Sequence, residues 1–387
     1  MSTVTSQNQR RRIKKRNSIL KGFDPLLSFA VAGLLIVGTL LVYAATKSWY
    51  AGLGLDPEYY LKRHVINIVI GAFLALSATL IDYRLIRAYT PFLWGASVLG
   101  LVAVLIPGVG STVNGARAWI SFPGGFQIQP AELVKISIII GISVILSEGV
   151  HDRQEPNSKT VAQALLVAAF PIFLILLQPD MGTVIIISAS VLTIVAVSGA
   201  SSRWIVGLLL VAVIGGFTAV KVGVLSDYQV KRLQSFVNPA ADPQQSGYQL
   251  RQSRITVGSG GVLGKGLFNG PQTNGRFVPE QHTDFIFTVS GEELGFAGSS
   301  LILILYLIIL LRGFRIARRS EDLFGRLVCI GVISWFAFQA FENIGMTMGL
   351  MPMTGVPLPF ISYGGSSMFA NLIGIGLLQN IHARTRG

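Results

Sequence analysis

Long apolar runs separated by short polar segments set the plan of this chain. Pro25 to Thr46 carries no charge and is long enough to span a bilayer, which takes about 20 apolar residues. Further apolar runs follow at about 64–81, 88–106, 131–149, 160–177, 182–199, 202–224, 285–311, 324–350 and 367–383. The pattern predicts an all-α, polytopic integral membrane protein with ten transmembrane helices. The first run is long for a signal-peptide core and lacks an A-x-A site, which predicts an uncleaved first helix. Residues 1–23 read as a disordered basic tail, and residues 24–387 as a single membrane domain. A large polar loop, about 225–283, separates predicted helices 7 and 8. Its apolar residues recur at intervals, so it is expected to fold against the membrane surface with short helices.

Charge gives the orientation. Most of the 31 Lys and Arg residues fall in the tail and in alternate short loops, among them Arg84, Arg87, Arg203, Arg312, Arg315, Arg318 and Arg319. Short loops rich in Lys and Arg stay cytoplasmic, so both termini are expected there. The tail would fix topology and touch anionic membrane lipid. The net charge of +13 is thus mostly topological. With no aromatic residues among the tail charges, nucleic acid is not an expected partner. The 51% hydrophobic and 13% charged composition, with mean hydropathy +0.60, excludes an ordinary soluble domain, which carries about 25% charged residues. One cysteine, Cys329, excludes an internal disulfide and a Cys-based metal site, and four scattered histidines without H-x3-H spacing argue against zinc.

The chemistry-bearing stretches all fall on the predicted outer side. Asp284 stands where the polar loop turns into a membrane helix, behind Glu280, His282 and Thr283. A carboxylate there is either a general base where water is limited or a helix N-cap. Asp284, Thr288 and Glu292 share one helical face. A second group is Arg117, Trp119, Gln127, Gln129, Glu132 and Lys135, in which Glu132 and Lys135 form either a structural ion pair or an anion site. Gln178 and Asp180 sit in a short turn between predicted helices 5 and 6. A third stretch, Leu250 to Gly266, carries Arg254, Lys265 and glycines that could cradle a diphosphate or merely form a turn; it is not a Walker A loop. The fourth, Pro357 to Ser367, offers Ser362, Tyr363 and Ser366 in a broken segment that would be tolerated where it lines a cavity. One carboxylate, several cations and an anion loop suit sugar transfer from a lipid diphosphate. Such a leaving group needs no acid, whereas glycoside hydrolases need one.

These residues carry a resemblance. NGARAWISFPGGFQIQPAELVKI (114–136), LQPDMGT (177–183), QSRITVGSGGVLGKG (252–266), FVPEQHTDFIFTVSGEELG (277–295) and GVPLPFISYGGSS (355–367) are similar to the SEDS family of bacterial cell-wall proteins (shape, elongation, division and sporulation). The resemblance covers nearly everything from the first span to residue 383, and Val356-Pro357-Leu358-Pro359 sides with its elongation branch, RodA, over its division branch, FtsW. It implies a ten-span fold and a peptidoglycan glycosyltransferase that polymerises lipid II at the outer face of the cytoplasmic membrane during elongation. It implies Asp284 as the essential base, with Arg117, Lys135, Arg254 and Lys265 neutralising diphosphates. A divalent cation, Mg2+ or Mn2+, would assist, with Asp284 as a candidate metal ligand. The implied partners are a class B penicillin-binding transpeptidase and the MreC/MreD elongation machinery. The rival reading is a lipid II flippase, which would need charged residues through the whole membrane; a secondary transporter or an inactive scaffold are the remaining alternatives.

Overall fold

The computed structural model describes residues 22–385 apart from 114–115, 149–154, 223–226, 239–241 and 243–244. Most of the basic tail (1–21), together with His151, Arg153 and Arg386, lies outside the described residues. In chain order the elements are α1 (Pro25–Gly52), α2 (Tyr59–Leu80), α3 (Tyr83–Ala88), α4 (Thr90–Leu105), β1 (Gly110–Val113), β2 (Ala116–Phe122), β3 (Phe126–Ile128), α5 (Pro130–Glu148), α6 (Ser158–Leu176), α7 (Met181–Val197) and α8 (Ser202–Val222). They continue with α9 (Asp227–Val237), α10 (Ser246–Ser259), α11 (Pro271–Asn274), α12 (Ile286–Glu293), α13 (Gly295–Arg319), α14 (Leu323–Met348) and α15 (Gly365–Arg384).

Every predicted apolar run falls on a helix. Among the described residues, α1, α2, α5, α6, α13 and α14 are long and apolar enough to cross a membrane, while α4, α7 and residues 202–218 of α8 are apolar but shorter. Burial separates wall from centre. Nearly three-quarters of the apolar window of α5 and α14 is buried in protein, against 39% or less in the other long helices. Helix α15 is mostly buried although it carries Asn371, Gln379 and Asn380. Its amides bond other helices: Asn380 Nδ2 donates to Ala78 O at 2.6 Å and Gln379 Nε2 to Asp24 O at 3.1 Å. Asp24 in turn caps α1 by accepting from Leu27 N at 3.0 Å, and Arg312 Nε of α13 donates to it at 2.9 Å.

Two features depart from expectation. Strands β1, β2 and β3 form a small antiparallel sheet, so the fold is mostly rather than wholly helical. An Asn-Gly pair at 114–115, the strongest short-range hairpin signal, was its cue in the sequence. The run predicted as one helix over 285–311 is divided at Gly295, which has φ +65°. Only glycine takes that conformation cheaply. The glycine-rich turn packs into the break: Phe296 N donates to Gly261 O at 2.9 Å and Lys265 N to Glu292 O at 2.9 Å. The segment before α11 and α12 does fold into short helices, α9 and α10, as anticipated.

Candidate active site

Irregular backbone inside a membrane protein must have its polar groups bonded by other protein groups. The 355–363 segment meets that demand through side chains of α14. Gln339 Nε2 donates to Pro357 O and Asn343 Nδ2 to Val356 O, both at 2.7 Å. The same Asn343 amide donates to Asp284 O at 2.7 Å, and Ser362 Oγ donates to Thr283 O at 2.5 Å. The turn carrying Asp284 is closed by Glu280, whose φ is +52° and whose carbonyl accepts from Phe285 N at 3.2 Å. The backbone around Asp284 is therefore fixed from three sides. Its side chain is not a helix cap: the N-cap of α12 is Phe285, without a side-chain bond.

Asp284 lines a cavity of about 310 Å³ bounded by α2, the β-sheet, the start of α5, the turn before α7, α9 and the 354–367 segment. It converges there with Arg232 of α9. A Cβ built at Gly355 would lie 3.2 Å from Asp284 Oδ2 and 3.3 Å from Arg232 Nη1, and Gly355 itself has φ +76°. Burial pushes the Asp284 carboxyl up to about 6, with Arg232 opposing and Glu280 and Asp180 adding to the rise. Asp180 is likewise raised by burial, and its carboxylate caps α7 through Thr183 N at 3.1 Å while accepting from Gln129 Nε2 at 2.9 Å. We expect Gly355→Ala, strained by its φ and crowding both groups, to lower activity more than tenfold in a single-turnover assay, since misplacement by about 1 Å can cost 10²-fold; melting temperature separates this from unfolding.

Of the residues singled out from sequence, Trp119, Gln127, Gln129, Glu132, Asp180, Glu280, Thr283, Asp284, Tyr363 and Ser366 line the cavity. The others are placed elsewhere, each for a visible reason. Arg117 Nε donates to Gly110 O at 3.2 Å within the sheet, and Gln178, fully buried, donates to Leu101 O at 3.0 Å. Lys135 lies behind Glu132, paired with it at 2.9 Å. Arg254 Nη2 donates to Gly349 O at 3.0 Å. Lys265 is exposed on the glycine-rich turn. His282 is buried among Trp49, Tyr60 and Tyr363, and burial, then Arg276, lowers it to about 4. Glu292 does not share a continuous helical face with Asp284, which precedes α12; it accepts from Thr273 N at 2.7 Å and Gln272 N at 2.8 Å and so secures the 270–274 turn. Ser362 holds the Thr283 carbonyl as described. Arg63, Asn67 and Arg232 line the cavity unforeseen. Asn67 had a signal, a polar residue inside an apolar run; Arg232, on a short loop helix, had none. Among the described residues, no group of three or more His, Cys, Asp or Glu side chains is placed to hold a metal ion.

Comparison with known proteins follows the same outline. The family profile described as cell cycle protein, spanning FtsW, RodA and SpoVE, matches residues 25–387. The chain is 38% identical to the probable peptidoglycan glycosyltransferase FtsW of Trichlorobacter lovleyi, over 94% of each chain. It is 35% identical to the peptidoglycan glycosyltransferase MrdB of Escherichia coli K12, over 91% of this chain and 93% of that one. A chain from a solved structure, described as showing structural coordination of polymerization and crosslinking by a peptidoglycan synthase complex, superposes with TM-score 0.77 at 31% identity, covering 94% of this chain and 98% of its own.

Proposed function

The chain belongs to the FtsW/RodA/SpoVE family, and from that premise we propose that it is a multi-pass membrane enzyme that polymerises lipid II into β-1,4 glycan strands. The observation that carries the reading is Asp284, set in a cavity beside Arg232 with its carboxyl raised to about 6. A general base works best with a pKa near the operating pH. Asp284 accepts the proton of the acceptor sugar's 4-hydroxyl; that oxygen attacks the anomeric carbon of the lipid-linked donor and the diphosphate leaves. In this reading ten helices span the membrane, both termini are cytoplasmic, and the cavity with the 225–283 loop faces outward. The peptidoglycan glycosyltransferase names of the two relatives support the activity. The relative in a peptidoglycan synthase complex supports a class B transpeptidase as partner. An elongation role, with MreC/MreD, rests on the Val356–Pro359 pattern; identity to FtsW and MrdB relatives does not divide the two branches. A Mg2+ or Mn2+ ion would arrive with the diphosphate oxygens as ligands and one or two carboxylates at most, as is usual for Mg2+.

The test is a gel assay of purified protein with lipid II in detergent, with and without a transpeptidase partner. Polymer is expected; a flippase would make none. The rate should report the base. Asp284 must be ionised, so below about pH 6 kcat/KM is expected to fall about tenfold per pH unit, and a profile flat from pH 7.5 to 5 removes Asp284 as the base.

A further inference from the structure

The first turn of α15 opens onto the cavity. Gly364, Gly365, Ser366 and Ser367 all line it. The helix runs for 20 residues and no side chain caps its N-terminus. The leading N–H groups of a helix have no partner within it, and they carry the positive end of its dipole. The absence of side chains at Gly364 and Gly365 leaves that backbone open to the cavity. The serine hydroxyls are turned to structural tasks: Ser366 Oγ accepts from Gln129 N at 2.8 Å, and Ser367 Oγ from Asn371 Nδ2 at 3.2 Å.

Asn67 of α2 points to the same place independently. It is 4% exposed, it lines the cavity, and among the described residues its amide makes no hydrogen bond. Its Oδ1 lies 3.4 Å from where a Cβ at Gly365 would stand. A buried amide without a partner is costly, so a group entering the cavity is the natural acceptor. One turn earlier Arg63, also in the lining, lies over the Tyr59 ring at 4.7 Å and donates to Gly125 O at 2.8 Å. The acidic groups of the lining are Glu132, Asp180, Glu280 and Asp284.

We propose that the N-terminus of α15, with the Asn67 amide and the Arg63 guanidinium, is the seat of the diphosphate of a lipid-linked sugar. The seat deepens the polymerase reading and takes its ligand class from it. During transfer the bond from the anomeric carbon to the phosphate oxygen breaks, the bond to the acceptor oxygen forms, and the proton passes to Asp284. Charge grows on the departing diphosphate, where fixed backbone donors stabilise it. The glycine-rich turn, the alternative cradle, spends its Lys265 and Gly266 N–H groups on the carbonyls of Glu292 and Glu293.

The test titrates farnesyl diphosphate, and farnesol as uncharged control, into the full-length protein in detergent by calorimetry. Wild type is expected to bind the diphosphate and Asn67→Asp to bind it about tenfold or more weakly, the order expected when a bond to a charged group is lost. Farnesol should not distinguish them. Gly365→Ala, whose methyl meets only an ordinary contact, keeps the fold and is also expected to weaken diphosphate binding, so the test survives if Asn67→Asp melts early. Binding within twofold of wild type in both variants overturns the seat. So does inorganic diphosphate binding as tightly as the farnesyl form, which assigns the site to a free anion. Lipid II polymerisation by the same preparations keeps the two readings apart. Asn67-dependent binding without polymer retains the seat and removes the polymerase; polymer with Asn67-independent binding does the reverse.

Discussion

Asp284→Asn is expected to leave a folded protein that polymerises lipid II about 10²–10⁴-fold more slowly than wild type, the range for loss of a general base. Asparagine keeps the size of the side chain. The bond that fixes the turn uses the backbone carbonyl of residue 284, which Asn343 holds at 2.7 Å whatever the side chain. The side chain caps no helix. Stability should therefore not fall, and the pKa shift gives its direction. The folded carboxyl titrates at about 6, above its ordinary 3.8. A raised carboxyl contributes stability that is fully present below about pH 3.8 and is lost as pH rises through 6. At pH 7.5 wild type has lost that contribution and the asparagine variant has nothing to lose, so the variant should melt at the same temperature or higher. The gap should close toward pH 4. Glycan length on gels and unfolding in detergent check the two halves. Activity within about threefold of wild type sinks the assignment of Asp284 as base, and a clearly lower melting temperature at pH 7.5 makes the lost activity structural.

The sequence was legible where a single physical constraint dominates. A bilayer demands apolar length, and each predicted run is helical, the one over 285–311 as two helices divided at Gly295. It demands that broken backbone line a cavity, and Thr354 to Ser367 largely do so. Asp284 stood out because a carboxylate at the edge of an apolar run is costly without a task. Legibility failed where the outcome depends on which neighbour a long side chain meets. Lys135, Arg117, Arg254 and Lys265 were all plausible cations, yet each found a protein partner or an exposed site, while Arg63 and Arg232 reached the cavity. Glycine showed the same ambiguity. Glycines 258–266 read as either a diphosphate cradle or a plain turn, and the turn is what forms: Gly260 and Gly264 sit too close to the 291–295 backbone to carry a side chain, packing the turn against the break at Gly295. Spacing can say that a backbone is open; only the packing of distant segments says to what.

The Glu132–Lys135 pair is expected to show how much of the cavity wall depends on one buried charge. Lys135 Nζ lies 2.9 Å from Glu132, 3.0 Å from Gln339 Oε1 and 4.7 Å from the Trp335 ring centre, and both charged side chains are almost wholly buried. Gln339 is held at the same time by Trp335 Nε1 at 2.6 Å, and its own amide holds Pro357 O. Removing the lysine therefore strands a carboxylate and loosens an anchor of the 355–363 segment. Lys135→Ala is expected to destabilise the protein by about 3–5 kcal/mol, the cost of breaking a buried pair by removing one partner. Lys135→Met combined with Glu132→Gln should recover most of that loss, because replacing both charges with neutral groups of similar volume is often close to neutral. The measurement is a double-mutant cycle on unfolding in detergent, read beside polymerisation. If Lys135→Ala keeps wild-type stability and loses only the use of lipid II, the lysine serves substrate. If the neutral double variant is both stable and active, the charges at this position serve the fold, and binding of the anionic substrate has to be carried by Arg63, Arg232 and the N-terminus of α15.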